Sequence, residues 1–223
     1  MSFQYAVFDF DGTLFDSMSI WDNVGELYLK SLGKEPEPFL RDKIRTFSLK
    51  QSAQYFQQKY NIALSEKEIA VGINKMIEQF YFNEVQPKHN VINFLHILKQ
   101  AGFRMCIATA TDRYLIEKAL KRCCMENFFE KIFTCGEVGY GKDTPMIFRK
   151  AIEYFPSTRE NTLIFEDAFH ALQTAKQDNF ITVGVYDKSE PNQIGVRKMS
   201  DYFLSSFEVK GFALNNPTRG FTP

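Results

Sequence analysis

At 223 residues the chain is long enough to bury a substantial core, as one domain or one and a half. Lysine plus arginine and aspartate plus glutamate both total 27, which leaves no global field to draw nucleic acid or an anionic membrane, so any anionic ligand must be held by local groups. The opening "MSFQYAVFDFDGTLF" lacks a basic segment, acids interrupt its apolar run early and no apolar stretch reaches bilayer length, so a cytoplasmic protein with no membrane partner is expected.

Residues 4–10, "QYAVFDF", read as a short buried strand ended by Asp-Gly. From residue 17 to about 84 the spacing is helical almost throughout. Ser65 and Glu68 form a capping-box pattern, after which Ile69, Ile73, Met76, Ile77 and Phe80 share one face, and Gly33 is a helix terminator. After Pro87 the rhythm alternates. Asn90 can cap the helix "VINFLHILKQA", which Gly102 closes, and "FRMCIAT" at 103–109 is a strand. The helix "RYLIEKALKRCC", the strand "KIFTC" and a helix from Thr144 to Phe155 follow. "TLIFED" at 162–167 is a strand, "ALQTAKQ" a helix, "ITVGVY" at 181–186 a strand and "YFLSS" a last short one. The four cysteines (Cys106, Cys123, Cys124 and Cys135) match neither a zinc site nor a disulfide framework and are expected reduced and mostly buried, the adjacent pair packing in its helix.

This order predicts an α/β core, doubly wound around a mostly parallel sheet and made of residues 1–16 and 85–210. An α-helical cap is inserted at 17–84, and a loose polar tail occupies 211–223.

Ligands of open parallel sheets gather at the carboxyl ends of the strands. Polar residues follow four strands here: "DFD" at 9–11, "TAT" at 109–111, "GYGK" at 139–142 and "FED" at 165–167. Taken singly, an Asp-Gly is a turn, a strand-end threonine a cap and a lysine in a glycine-rich loop a solvated charge. Together they would collect Asp9, Asp11, Glu166 and Asp167, too many acids for one place without compensation. A hard divalent cation such as Mg²⁺ resolves the conflict, with Thr109 and nearby amides suited to phosphate oxygens and Lys142 supplying a positive charge. That set suggests phosphoryl chemistry with a carboxylate nucleophile.

The motifs "DFDGTLFDS", "IATAT", "GKDTPMIF" and "LIFEDAFHAL" resemble, in order, the four motifs of the haloacid dehalogenase-like superfamily. The resemblance is closest to its β-phosphoglucomutase-like and phosphatase members with a helical cap. It implies a Rossmann-like core and a phosphatase acting on a small phosphorylated metabolite. Asp9 would be the nucleophile, carrying an aspartyl-phosphate, and Asp11 the general acid/base whose backbone carbonyl also meets Mg²⁺. Thr109 and Ala110 would hold the phosphoryl group, Gly12 and Thr13 of the first motif would join that phosphate-binding set, and Lys142 would bridge it to Asp9. Asp9, Asp11, Asp167 and Glu166 would be the metal set, Glu166 acting through water. The i, i+2 spacing lets both aspartates face one phosphoryl group, and Gly12 permits the sharp exit.

The chain departs from the family pattern in two motifs. "GKDTP" has Asp143 where proline is commonest, either paired with Lys142 or facing outward. "EDAFHALQTAKQDN" lacks the usual glycines, which implies altered helix packing or turn geometry. Hinges are expected near Phe15–Ser17 and Asn83–Pro87. In the cap, "RDKIRTFSLKQS" offers Arg45, Thr46 and Lys43 as substrate contacts, or else an exposed mixed-charge helix. Trp21 either lines the entrance or packs between cap and core. A phosphosugar mutase is the second reading, weakened because "SMSIWD" has no histidine and Leu49 stands where a phosphate-gripping arginine is expected. A non-catalytic phospho-ligand binder is the third.

Overall fold

The tetrapeptide Tyr5–Phe8 has no charged side chain to present to water, and all four of its residues are buried. In the computed structural model, which describes residues 3–208, this strand, β1, lies inside a six-stranded sheet. The other strands are β2 (Arg104–Thr109), β3 (Lys131–Thr134), β4 (Thr162–Glu166), β5 (Ile181–Val185) and β6 (Tyr202–Leu204). Their order is β3-β2-β1-β4-β5-β6, and every neighbouring pair is parallel. The order reverses direction at β1, so a crevice opens beyond the carboxyl ends of β1, β2 and β4.

Alternation along β1 sorts its residues between two apolar layers. Ala6 and Phe8 join one core with Phe94, Leu115 and Phe165, while Tyr5 and Val7 join another with Ile147, Phe148 and Ile164. Helices α6 (Val91–Gln100) and α7 (Arg113–Arg122) cover the first face; α9 (Met146–Tyr154) and α10 (Phe169–Gln177) pack through Ile147 and Ala175 on the second. A short α8 (Cys135–Val138) follows β3, and α11 (Gln193–Met199), not anticipated from the sequence, precedes β6.

Between β1 and β2 the chain runs through α1 (Met18–Trp21), α2 (Val24–Ser31), α3 (Leu40–Ile44), α4 (Leu49–Tyr60) and α5 (Glu66–Gln79). The Ser65–Glu68 capping box forms as expected, and a second one, Ser48–Gln51, starts α4. A turn of π-helix at Phe80–Glu84 ends the insert. The two linkers joining insert to sheet pair with each other: the Asp16 amide donates to the Gln86 carbonyl at 3.0 Å, and the Lys88 amide to the Leu14 carbonyl at 2.9 Å. The expected tail at 211–223 lies outside the described residues.

Local details differ from the sequence reading. Asn90 stands at the N-cap of α6 with φ 61° and makes no side-chain cap bond. Met76 is 38% exposed, because the buried stripe of α5 is narrower and rests on Ile69, Ile73 and Ile77. Cys106 and Cys135 are buried, but Cys124 is exposed: it follows the end of α7 with φ 55° and so turns out of the helical face on which it was expected to pack.

Aromatic packing accounts for much of the core between β1 and β4, where the Phe8 and Phe165 rings stack with centroids 4.3 Å apart and neither residue is exposed. Truncation would remove this contact and leave a cavity the flanking strands cannot close. Phe165→Ala is therefore expected to cost about 3–5 kcal/mol in urea unfolding while the far-ultraviolet circular dichroism of the native protein stays unchanged.

Candidate active site

The site grows out of the strand ends. After Phe8 the Asp9 amide still donates to the Phe165 carbonyl of β4 at 2.9 Å, so the backbone of Asp9 is fixed by the sheet although its side chain lies beyond it. The chain then turns at once: the Leu14 amide donates to the Phe10 carbonyl and the Gly12 amide to the Phe15 carbonyl, each at 2.9 Å. Gly12 has φ +76°, and a Cβ there would lie 2.7 Å from Asp167 Cγ. Only glycine meets both demands, a left-handed backbone and a carboxylate pressed against it.

Asp9, Glu166 and Asp167 are all buried, and each offers a carboxylate oxygen within 4.8 Å of the others. Lys142, in the loop after α8, reaches between two of them, with Nζ donating to Asp9 Oδ1 and to Glu166 Oε2, the latter at 2.6 Å. Burial opposes the lysine's charge, but the two carboxylates outweigh it and hold its pKa above the ordinary value. Burial and the neighbouring Glu166 charge push Asp9 well above the usual carboxylate range, with Lys142 only partly offsetting them. Asp167 is pushed the same way, by burial first and then by Glu166 and Asp9. With three acids to one base, ionising them all would leave an excess of negative charge in a buried, oxygen-rich setting. This donor set fits a hard divalent cation of the Mg²⁺ type.

Asp11 is held quite differently. Ser17 Oγ donates to its Oδ1 and Thr111 Oγ1 to its Oδ2, each at 2.6 Å, and the Tyr81 hydroxyl also donates to Oδ1. Trp21 Nε1 in turn donates to the Tyr81 oxygen at 2.8 Å. Burial, reinforced by the Asp11 charge, lifts the Tyr81 phenol well above its ordinary pKa, so it remains a donor. Of the three groups on Asp11, Ser17 comes from the start of the insert, Tyr81 from the π turn that ends it and Thr111 from the turn after β2.

A cleft of about 190 Å³ lies between these residues and the insert, lined by Asp9, Asp11, Ala110, Lys142, Trp21 and Arg45 among others. Trp21 thus both faces the cleft and joins insert to core through Tyr81. Thr109 is fully buried and its Oγ1 accepts from the Thr111 amide at 3.1 Å, while the Thr13 hydroxyl donates to Asp167 Oδ1 at 2.8 Å. Arg45 reaches the core, pairing with Glu190 at 3.3 Å, and Thr46 also lines the cleft; Lys43 instead pairs with Glu37 on the far surface. Asp143 does not pair with Lys142: its Oδ2 accepts from Gln51 Nε2 of α4 at 3.2 Å. Asp178 caps α10 and takes ion pairs from Arg149 and Arg159, while Asn179 supplies the left-handed residue after it with φ 63°.

Sequence reasoning missed Tyr81, Ser17, Thr111, His170 and Glu190. Thr111 was within reach, since it stands two residues after Thr109 as Asp11 stands two after Asp9. His170 lines the cleft one helical step past the acids, its pKa lowered mainly by burial. Nothing local marks Tyr81, which meets Asp11 across 70 positions of sequence.

Among known proteins, the model of the haloacid dehalogenase-like hydrolase family matches residues 6–185. The phosphoglycolate phosphatase of Psychrobacter arcticus is 25% identical over 232 residues, covering 97% of this chain and all of that protein. Pyrophosphatase PpaX of Anoxybacillus flavithermus is 25% identical over 193 residues, 83% of this chain and 84% of its own. Among solved structures, a variant of CbbY from Rhodobacter sphaeroides in complex with xylulose-(1,5)bisphosphate superposes with a TM-score of 0.82 at 20% identity, covering 96% of this chain and 99% of that one. At that identity the likeness speaks to the fold.

The raised pKa values of Asp9 and Asp167 give a signed expectation. The folded state holds these protons more tightly than the unfolded chain, so the metal-free protein should lose stability as pH rises through their range. Added Mg²⁺ must compete with the same protons. Its thermal stabilisation should therefore be larger at about pH 8 than at about pH 5, measured by differential scanning fluorimetry against a chelated control. An equal shift at both pH values would mean that the cation binds elsewhere.

Proposed function

The chain belongs to the haloacid dehalogenase-like hydrolase family, and from that premise we propose that it is a Mg²⁺-dependent phosphatase acting on a small phosphorylated metabolite through an aspartyl-phosphate. The observation that carries this reading is the unlike treatment of two aspartates in one turn. Asp9 is tied to an ammonium group within the acidic cluster, and Asp11 to three hydroxyl donors. An attacking carboxylate and a proton-handling carboxylate require that difference of surroundings.

In the first step an Asp9 carboxylate oxygen attacks phosphorus and the bond from phosphorus to the ester oxygen breaks. Asp11, protonated for this half, gives its proton to that departing oxygen, so the product leaves as a neutral alcohol. In the second step water attacks the phosphorus of the aspartyl-phosphate, Asp11 takes a proton from it, and the acyl-phosphate bond breaks to restore the Asp9 carboxylate and release phosphate. Lys142 stays beside Asp9 throughout and balances charge on the group in transfer. The Thr109 hydroxyl and the Ala110 amide, at the end of β2, are the proposed cradle for the phosphoryl oxygens, and Gly12 allows the turn that aims both aspartates. Thr13 and Asp167 brace each other at the proposed metal site. Asp9 and Asp167, with the Asp11 carbonyl and with Glu166 acting through water, would hold Mg²⁺, whose charge would neutralise the carboxylates and the phosphoryl oxygens.

The mutase reading gains no support at Asp11, because every side chain that donates to it is a hydroxyl. Relatives named for pyrophosphate and phosphoglycolate support a small phosphorylated substrate but, at 25% identity, do not transfer a particular one.

p-Nitrophenyl phosphate should be hydrolysed with Mg²⁺ and not after chelation, and Asp9→Asn should lower turnover by on the order of 10⁴-fold while the fold persists. Binding of phosphate esters without turnover, or a fully active Asp9→Asn, would remove the reading. Tyr81→Phe should lower kcat about ten-fold for alkyl phosphates, which need protonation of the leaving oxygen, and much less for p-nitrophenyl phosphate. Its Mg²⁺ affinity should match wild type. An equal loss on both substrates would deny Tyr81 a role in positioning Asp11.

A further inference from the structure

The cleft wall opposite the catalytic carboxylates is supplied by the insert, and its chemistry is unlike that of the floor. Met18, Trp21, Val24, Ile44, Phe47 and Leu49 form its apolar surface. Gly25 lets this surface close up, since a Cβ there would lie 2.8 Å from Ile44 Cδ1.

Every cation of this wall is already matched. Arg41 pairs with Asp22 at 2.5 Å, and Arg45 pairs with Glu190 at 3.3 Å. Glu190 is itself pinned, accepting from the Phe169 amide at 3.2 Å and the Asn192 amide at 2.8 Å, so Arg45 is held against a fixed carboxylate in the core. Glu26 adds a negative charge and forms no ion pair among the described residues. Lys142 is committed to Asp9 and Glu166. The Ser48 hydroxyl accepts from the Gln51 amide within its capping box. Among the described residues that line the cleft, the buried side-chain polar atom without a partner is Ser189 Oγ, which is neutral.

We propose that the preferred substrate is the phosphate monoester of an apolar, uncharged alcohol, whose hydrocarbon part packs on Trp21, Ile44, Phe47 and Leu49. A second phosphate or a carboxylate on the leaving group would meet paired arginines and the Glu26 charge, and it would be desolvated against hydrocarbon without a counter-ion. An alkyl or aryl group instead displaces water from apolar surface. The Ser189 hydroxyl can serve one neutral polar atom of the ligand. The reaction assigned to this ligand rests on the phosphatase reading, while the binding preference rests on the cleft wall alone.

The straight-chain alkyl monophosphates from methyl to hexyl separate the two. Their leaving-group acidities converge after ethyl, so the trend along the series reports the wall. We expect kcat/KM to rise about three- to four-fold per added methylene until the cleft is filled. Phosphoglycolate and pyrophosphate should do no better than methyl phosphate, and Leu49→Ser should flatten the series. The same series is to be titrated into Asp9→Asn with the emission of Trp21, the only tryptophan, as the signal. A flat series in both assays, or tighter binding of phosphoglycolate or pyrophosphate than of hexyl phosphate, overturns the inference. A rising affinity series in Asp9→Asn with no hydrolysis by wild type upholds the inference and removes the phosphatase reading instead.

Discussion

One ammonium group makes this arrangement of acids tenable. Asp9, Glu166 and Asp167 converge where two strands end, in surroundings that exclude water, and Lys142 is the cation in direct contact with the cluster. Taking away one partner of such a buried pair generally costs about 3–5 kcal/mol, because a charge is left without compensation. The sheet, the sharp turn at Gly12 and the loop after α8 all serve this local balance. The strand ends deliver the three acids, the loop delivers Lys142, and Gly12 leaves room for the Asp167 carboxylate. The balance is incomplete, since one ammonium cannot match three ionised acids, and that shortfall is the physical basis of the proposed Mg²⁺ site and phosphoryl chemistry.

A second constraint acts on Asp11. Its carboxylate is held through hydroxyls from the two ends of the insert and from the turn after β2, so its orientation depends on how the insert sits on the sheet. Asp9, by contrast, is fixed by the sheet and by Lys142, which belong to the core. The two neighbouring aspartates therefore answer to different parts of the molecule. One belongs to the rigid scaffold, and the other is linked through Tyr81 and Trp21 to the helices that cover the cleft.

The sheet was legible because its strands are short apolar runs closed by polar residues, and a parallel order follows from the helices between them. Each of the six strands falls inside a segment anticipated from the pattern. The acids at the strand ends were legible for the same reason: strand-end positions of an open sheet have one destination, so Asp9, Glu166 and Asp167 could be brought together without coordinates. What stayed hidden depends on contacts between distant segments. Tyr81 sits in a π turn that no periodicity announces, and Glu190 lies in the loop between β5 and α11, far in sequence from the Arg45 it pairs with. The helix Gln193–Met199 carries a single buried residue, Val196, too little for a visible stripe. Arg45 was visible as a candidate, but its pairing with Glu190 was not, and that pairing changes it from a free ligand for anions into a neutralised strut.

The unusual Asp143 has a wider meaning. It stands beside Lys142 in a core loop, yet its partner, Gln51, belongs to the insert, just as Glu190 of the core is matched by Arg45. The insert and the core thus meet through two polar side-chain pairs outside the acidic cluster. Loss of Gln51 and Arg45 together would leave Asp143 without its partner in the insert, while Glu190 would keep the Phe169 and Asn192 amides. The seat of the insert is accordingly set by two loops of the sheet, one after β3 and one after β5, as much as by the chain linkers.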